Sequence, residues 1–263
     1  MPRFAANVSM MFNEVPFLDR FERARAAGFD AVEFLFPYEH PAAEIRARLD
    51  DAGLELVLFN AAPGDWERGE KGLAAMPGRE AEFREAIGRA LDYAGVLGCP
   101  RLHVMSGLAP AGVPRDRLMA TLAANLAWAA ERCNAQGVRP VIEPINHRDM
   151  PGYVLNTTAE GAALVEAIGP GRIGLQFDLY HTQVTEGDIT RRFESLLPLI
   201  DHAQVADTPG RHEPGTGEVN WPYVFDRIDA MGYRGWIGCE YRPAGATEDG
   251  LGWLARYRAA AVT

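Results

Sequence analysis

Four apolar segments of the chain each end in a polar, oxygen-bearing side chain. They supply Glu143 in VIEPIN, Asp178 in GLQFDLYH, Gln204 in HAQVAD and Glu240 in WIGCEY. A carboxylate or amide at the end of a buried strand is unfavourable for packing, because burial of a polar group costs free energy unless the group has a partner. Any one of them could be an acid paired with an arginine or with backbone amides. Four in succession predict strand ends that converge on one hard cation, and all-oxygen ligands suit Mg²⁺ or Mn²⁺.

Two residues near these strand ends could contact a substrate. His181 follows Asp178 by three residues in a segment typical of the start of a helix, so its imidazole could face the same cleft. Arg211 lies in the glycine-rich loop DTPGRHEPGTGE. It is either a solvated charge at the rim or a guanidinium that holds a substrate oxygen or orients Glu240. His202, early in its apolar segment, is predicted to belong to the packing or to the lower face of the fold.

A long connection supplies further candidates. The segment Ala61–Gly78, AAPGDWERGEKGLAAMPG, is longer than most connections, and such loops are more often functional than filler. Its Trp66, Arg68 and Lys71 could close over a substrate, or they could mark a protein contact. Asn60, directly before the loop, could reach substrate hydroxyls or act as a cap. Asn60 and Lys71 are therefore candidate substrate-binding residues.

Short apolar runs rich in β-branched and aromatic residues alternate with longer segments of helical periodicity. The expected strands are Arg3–Val8, Ala31–Phe34, Leu54–Asn60, Arg101–Met105, Arg139–Glu143, Ile173–Asp178, Asp201–Val205 and Gly235–Glu240. The expected helices are Pro16–Ala27, Pro41–Ala52, Arg79–Leu97, Arg115–Gln136, Thr157–Ile168, Ile189–Leu199, Pro222–Met231 and Thr247–Ala259. The pair Thr157–Thr158 is typical of a helix N-cap.

Eight strand–helix units predict an α/β protein with one (β/α)8 TIM barrel, a single domain that spans residues 1–263. The continuously apolar strands favour a parallel sheet covered on its faces. A doubly wound open sheet is the alternative, but no GxGxxG follows the first strand. In a barrel of this kind the active site lies at the carboxyl ends of the strands. The four polar residues end strands five to eight, so we expect them to be neighbours.

The composition limits the class of partner. A formal net charge of −10 argues against non-specific nucleic-acid binding, which draws on clustered Lys and Arg. It is compatible with a small anionic substrate, since local Arg and a metal can reverse the field within a cleft. No segment is typical of a signal peptide or a membrane span. Three widely spaced cysteines indicate neither a disulfide framework nor a thiolate zinc site, so we expect a cytoplasmic protein.

Eight stretches that run nearly from end to end carry a family resemblance. They are RFAANVSMMF, VEFLFPY, GDWERGEKG, MPGREAEFR, IEPINHRDMPGY, QFDLYHTQ, QVADTPGRHEPGTGEVN and CEYRP. Together they resemble the hydroxypyruvate isomerase family, within the wider xylose isomerase-like TIM barrels that include ketose 3-epimerases. The resemblance implies a TIM barrel that acts on a small hydroxy-oxo acid, and a homo-oligomer is compatible with it.

The resemblance also implies roles for individual residues. His181 and Arg211 match positions that contact substrate oxygens in related epimerases. Glu143 and Glu240 match the pair that transfers protons on opposite sides of the substrate. The epimerases usually place a histidine where this chain has Gln204, which keeps the ligands all-oxygen. The implied ligands of a divalent metal are Glu143, Asp178, Gln204 and Glu240.

The expected reaction interconverts hydroxypyruvate and tartronate semialdehyde through an enediolate. One glutamate removes the carbon-bound proton, and the other serves the neighbouring carbon or the oxygens. Arg211, Lys71 or backbone amides could hold the substrate carboxylate. The nearest alternative is an isomerase of a four-carbon 2-oxo-tetronate, and a ketose 3-epimerase is a step further away. The loops Ala61–Gly78 and Asp149–Tyr153 would set how many carbons fit.

Two other classes of protein are rivals. A metal-dependent endonuclease would need a basic groove and a histidine-rich zinc site, whereas this chain is acidic and has only six histidines. A catalytically inactive binding protein should lack a ligand at one of the four strand ends, and each of the four positions keeps an oxygen-bearing side chain.

Overall fold

Eight parallel strands close into a barrel in the order in which they occur along the chain, which confirms the predicted fold. The computed structural model describes residues 1–258. The strands are β1 (Arg3–Asn7), β2 (Ala31–Phe34), β3 (Glu55–Asn60), β4 (Arg101–His103), β5 (Arg139–Ile142), β6 (Gly174–Asp178), β7 (Ile200–Val205) and β8 (Trp236–Cys239). Each lies within two residues of its expected bounds.

Helices cover the outside of the barrel. The α-helices are α1 (Arg20–Ala26), α2 (Ala42–Ala52), α3 (Glu80–Leu97), α4 (Arg115–Asn134), α5 (Thr158–Ile168), α6 (Leu179–Thr185), α7 (Ile189–Leu196), α8 (Trp221–Ala230) and α9 (Ala255–Arg258). Thr157 caps α5 as predicted, because its hydroxyl accepts from the Glu160 amide at 3.3 Å. Among the helices of residues 1–258, none has the length and apolar character that a bilayer crossing requires.

Three predicted helices contain 3-10 turns. Phe17–Asp19 and Leu197–Leu199 are short 3-10 segments at the ends of α1 and α7, where such turns are common. The last predicted helix, Thr247–Ala259, is mostly wrong as an α-helix, because Thr247–Leu254 is 3-10 and only α9 follows it. Two glycines in TEDGLGWL lower its α-helical propensity. Ala259 lies outside the described residues.

Side chains alternate between the two faces of the barrel wall. Outward residues pack on the helices, as Phe177 of β6 does against Phe193 of α7 with ring centroids 5.2 Å apart. Inward, a lower apolar cluster includes Ala5, Ala31 and Trp236. Two residues further along the same strands stand Asn7, Glu33 and Gly238, so the interior changes from apolar to polar towards the carboxyl ends of the strands.

Candidate active site

A cavity of about 980 Å³ lies at the carboxyl ends of the strands. Its lining joins strand ends to the loops that follow β3, β7 and β8. It brings together six of the predicted site residues: Asn60, Lys71, Glu143, His181, Arg211 and Glu240. Asp178 and Gln204 are buried at the ends of β6 and β7, beside this group.

An acidic cluster forms part of this site. One ligand atom from each of Glu143, Asp178, His181 and Glu240 lies within 4.8 Å of the others, and all four residues are buried. Asp178 Oδ1 accepts from the backbone amides of Tyr180 and His181 at 2.7 and 3.4 Å, at the start of α6. Asp178 Oδ2 and Glu143 Oε1 are buried without a hydrogen-bond partner among the described residues.

The clustered acids raise one another's pKa values. Burial raises the pKa of Glu143 well above its usual range, and the negative charges of Glu240 and Asp178 add to the effect. Burial also raises the pKa of Glu240 to about 8, although the Arg211 guanidinium opposes it. Unpartnered carboxylate oxygens in a buried cluster are the donor set that a hard divalent cation prefers. The residues present therefore fit a divalent metal ion.

Gln204 stands next to Asp178, because the two residues pair in register between β7 and β6. Its Nε2 donates to Glu33 Oε1 at 2.8 Å, and its Oε1 accepts from Gln176 Nε2 at 2.6 Å. An amide oxygen has two lone pairs, so one remains available for a ligand. The side chain predicted as the fourth ligand is thus held inside the barrel by hydrogen bonds at both of its polar atoms.

His181 presents a donor to the acidic cluster. Its Nδ1 lies 2.6 Å from Asn146 Nδ2 and 3.4 Å from the Asn146 backbone amide. The Asn146 Oδ1 is engaged by the Asp149 amide, so Nδ2 must face the imidazole. The two amide donors at Nδ1 make it the acceptor and assign the proton of the neutral ring to Nε2, which lies 3.6 Å from Asp178 Oδ2 and 3.3 Å from Arg211 Nη2. Burial keeps the ring neutral by holding its pKa well below the usual value.

Arg211 is directed at the acidic cluster and is not a solvated charge at the rim. Its Nη2 donates to Glu240 Oε2 at 2.7 Å, and its guanidinium carbon lies 5.1 Å from the centre of the Tyr180 ring. Its backbone adopts a φ of 57°, in the left-handed region. The buried carboxylate of Asp207 holds this loop, because it accepts from four backbone amides, those of Thr208, Gly215, Gly217 and Val219.

Lys71 faces the cavity from the loop after β3. Its Nζ lies 3.1 Å from the centre of the Trp66 ring, and in the described part of the chain no ion pair includes its ammonium group. Gly72 brings this loop against the chain that follows β4, where a Cβ at position 72 would lie 2.4 Å from the Met105 carbonyl oxygen. Arg68 does not close over the site; it is 86% exposed and pairs with Asp65.

Sequence reasoning missed several residues at this site. His103 ends β4, lines the cavity and has its Nε2 3.6 Å from Glu143 Oε2. Burial lowers its pKa to about 3, with a smaller effect from His202, so its ring is neutral at physiological pH. A polar residue at the end of an apolar strand is the same signal that singled out the other four. Glu33, inside the segment VEFLF, carries that signal too, and it is fully buried.

His202 has a more specific environment than its prediction implied. Its ring is fully buried inside the barrel, with Nε2 2.6 Å from Glu33 Oε2. It stands two residues before Gln204 on the inward face of β7, below the acidic cluster. The residue therefore belongs to a polar network in the interior and not to apolar packing.

Comparisons with known proteins agree with this geometry. A family model described as xylose isomerase-like TIM barrel matches residues 21–257. A 2-oxo-tetronate isomerase of Cupriavidus necator is 60% identical, over 98% of this chain and 99% of its own. The hydroxypyruvate isomerase of Escherichia coli is 43% identical, over 98% and 100% of the two chains.

A solved structure from Brucella melitensis, described as AP endonuclease, family 2, superposes with a TM-score of 0.96. It is 48% identical and covers 98% of this chain and 100% of its own. The family match and the full-length relatives lead to one conclusion. This chain belongs to the xylose isomerase-like TIM barrel family, among the isomerases that include hydroxypyruvate isomerase and 2-oxo-tetronate isomerase.

Proposed function

We propose that the protein is a metal-dependent isomerase of short 2-oxo acids that carry a hydroxyl group on the neighbouring carbon. The observation that carries the proposal is the buried cluster of Glu143, Asp178, His181 and Glu240, whose ligand atoms lie within 4.8 Å of one another beside the cavity. Two glutamates at the ends of different strands can act on opposite sides of one substrate carbon skeleton.

The proposed ligands of the divalent ion are Glu143, Asp178, Gln204 and Glu240. Mg²⁺ or Mn²⁺ bound there would supply Lewis-acid stabilisation of the negative charge that develops on the two substrate oxygens. The unpartnered oxygens of Glu143 and Asp178 support this assignment. His181 is placed outside the ligand set, because its Nε2 carries the proton and can donate to a substrate oxygen instead.

The two glutamates have different surroundings, and this difference suits a division of labour. Glu240 is paired with Arg211 at 2.7 Å, whereas the nearest basic atoms to Glu143 are those of His103 and His181, at 3.6 and 3.7 Å. One carboxylate takes the proton from the hydroxyl-bearing carbon, and the C–H electron pair forms the enediolate. A proton is then delivered to the former carbonyl carbon. The hydroxyl oxygen gives up its proton and becomes the new carbonyl, while the former carbonyl oxygen takes up a proton and becomes the new hydroxyl.

The proposed substrate is a 2-oxo-tetronate, with hydroxypyruvate as the second candidate. The relative at 60% identity is named for the four-carbon acid, and the one at 43% for the three-carbon acid. A cavity of about 980 Å³ has room for either, so volume does not exclude the fourth carbon. Lys71 supports an acidic substrate, since its ammonium faces the cavity against the Trp66 ring and has no ion pair within residues 1–258.

A substrate panel with two glutamate variants tests the proposal. The purified protein is loaded with Mn²⁺ or Mg²⁺ and assayed on 2-oxo-tetronate, hydroxypyruvate and free ketoses. We expect kcat/KM to be highest on the 2-oxo acids. Glu143→Gln and Glu240→Gln should each lower kcat by about 100-fold or more, the usual loss when a proton-transferring group is removed. Both variants retaining wild-type rates at matched folding would refute the two-glutamate mechanism, and a preference for free ketoses would indicate a 3-epimerase.

We further propose that the partner is a small molecule in the cytoplasm and not a nucleic acid. The formal net charge of −10 opposes binding to a polyanion. A duplex that contains an abasic site, incubated with the metal-loaded protein, should remain intact. Cleavage that disappears in Glu143→Gln would instead support a nuclease at the same site.

A further inference from the structure

One buried carboxylate next to the site has no role in the proposed reaction. Glu33 on β2 is fully buried. Its Oε1 accepts from Asn7 Nδ2 at 2.9 Å and from Gln204 Nε2 at 2.8 Å, and its Oε2 lies 2.6 Å from His202 Nε2. Burial of a carboxylate is costly unless donors surround it. The barrel interior supplies three, from β1 and β7.

The barrel wall is shaped to leave room for this carboxylate. Gly238 on β8 has no side chain, and a Cβ there would lie 2.1 Å from Glu33 Oε2 and 2.3 Å from its Cδ. Any residue larger than glycine would displace the carboxylate from its donors. Packing against Glu33 therefore requires glycine at position 238. This requirement is separate from the role proposed for Glu240, which follows two residues later.

The carboxylate determines how the neighbouring amides are oriented. A carboxylate can only accept hydrogen bonds, so the NH2 group of Gln204 must face Glu33 and its oxygen must face away. Gln176 Nε2 donates to that oxygen at 2.6 Å, in agreement with this orientation. Asn7 is fixed in the same way, since its Oδ1 accepts from the Ser9 amide at 3.1 Å.

We propose that Glu33 is a positioning residue that fixes the Gln204 amide with its oxygen available to the cation site. The inference rests on the proposed function, because Gln204 is a ligand there. Residues that orient metal ligands typically change metal affinity by 10–100-fold when they are replaced. Glu33 would act through Gln204 and would not touch substrate or metal.

A double-mutant cycle on metal affinity tests whether Glu33 acts through Gln204. The dissociation constant of Mn²⁺ is measured by calorimetry on the metal-free protein for wild type, Glu33→Gln, Gln204→Ala and the double variant. Glu33→Gln should weaken binding by about 10–100-fold. In the Gln204→Ala background the same substitution should add less than about 2-fold. Equal losses in both backgrounds would overturn the proposal, because Glu33 would then act independently of Gln204.

A matched control separates positioning from general stability. Glu186 is also a largely buried carboxylate, with its oxygen 2.8 Å from the Thr158 amide, on the outer side of the barrel between α6 and α7. Glu186→Gln should lower the melting temperature and leave the Mn²⁺ dissociation constant unchanged. A comparable loss of affinity in this control would attribute the effect of Glu33→Gln to destabilisation.

An exchange of Glu and Gln between positions 33 and 204 keeps the proposal testable if Glu33→Gln folds poorly. Gln204→Glu alone places two carboxylates at hydrogen-bond distance and should lower both stability and Mn²⁺ affinity. Combining it with Glu33→Gln restores one donor and one acceptor with the original net charge, and should recover at least 10-fold in affinity. No recovery would overturn the proposal. If wild type binds neither Mn²⁺ nor Mg²⁺, the proposed function fails; if wild type binds and Glu33→Gln binds equally well, only this inference fails.

Discussion

Lys71 is the only lysine in the chain. The other 25 of its 26 Lys and Arg residues are arginines. Its ammonium lies over the Trp66 ring, facing the cavity, and burial lowers its pKa. An ammonium is a compact point charge with three donors, whereas a guanidinium is a broad planar fork. A lysine that keeps its charge free of ion pairs is suited to receive the carboxylate of a short acid.

Replacement of Lys71 should weaken binding of acids selectively. A hydrogen bond to a charged group contributes about 1.5–3 kcal/mol, so Lys71→Met should raise KM for 2-oxo acids by about 10–100-fold. The kcat should change less, and the Mn²⁺ dissociation constant should not change. Steady-state kinetics on an acid and on a neutral ketose make the comparison. An equal effect on both substrates would show that Lys71 does not recognise the carboxylate.

Metal binding should be coupled to proton release. The pKa of Glu240 is raised to about 8 by burial, so the metal-free protein holds protons in the acidic cluster at neutral pH. A cation requires the carboxylate forms, and its affinity should therefore rise from pH 6 to pH 8. Calorimetry in two buffers of different ionisation enthalpy measures the released protons, and Glu240→Gln should release fewer. Affinity that is independent of pH in this range would contradict the raised pKa.

The same shift has a defined sign for the stability of the metal-free protein. A carboxyl group whose folded pKa exceeds its unfolded value of about 4.3 binds more protons when folded. Its stabilising contribution is complete below the unfolded pKa and is lost as the pH rises through about 8 for Glu240. Thermal unfolding of the metal-free protein should therefore occur at lower temperature at pH 8 than at pH 6, and added Mn²⁺ should reduce the difference.

At the scale of elements, the loop after β7 has a backbone held by Asp207 and carries the charged side chain of Arg211. Asp207 accepts from four loop amides, and the Arg211 amide donates to the Asp207 carbonyl at 2.9 Å. The loop places Arg211 beside Glu240, the proposed proton-transferring group, so the surroundings of Glu240 depend on Asp207, which is not its hydrogen-bond partner. Asp207 is 1% exposed, and removal of its carboxylate would leave buried amides unpaired.

Removal of the Asp207 carboxylate should therefore affect both stability and activity. We expect Asp207→Ala to lower the free energy of unfolding by about 2 kcal/mol or more, because unpaired buried donors are costly. It should also lower kcat/KM by at least about 10-fold, since misplacement of charged groups slows catalysis. Chemical denaturation and steady-state kinetics measure the two effects. Full activity in a destabilised variant would mean that the loop does not position Arg211.

The elements were largely predictable from the sequence, and the exceptions have physical reasons. Apolar runs and helical periodicity located all eight strands, because both faces of a barrel strand are covered. The stretch Thr247–Leu254 kept helical periodicity but has two glycines, so its backbone tightened into 3-10 turns. Glu33 was not predicted as a site residue. Its hydrogen-bond donors lie on other strands, and the apolar run around it does not identify them.

At the scale of the whole molecule, barrel closure decides which residues meet. Parallel order alone predicted that Glu143, Asp178 and Glu240 would be neighbours. The pairing of Arg211 with Glu240 depends on the conformation of a loop, and sequence patterns do not specify it. The hydrogen bond between Gln204 and Glu33 joins residues 171 positions apart in the chain. It forms only because β8 pairs with β1 and brings the two ends of the sheet together.

The polar network around Glu33 also has a consequence that we expect for folding during synthesis. β2 leaves the ribosome early, but Gln204 and His202 follow Glu33 by 171 and 169 residues. At about 5–20 residues per second, the carboxylate waits roughly 10–30 s for these donors. Until then the nascent half-barrel contains an acid that cannot be buried without a large penalty. We therefore expect the interior of the N-terminal half to stay open to water until the C-terminal strands arrive, and the proposed cation site to be among the last parts of the molecule to form.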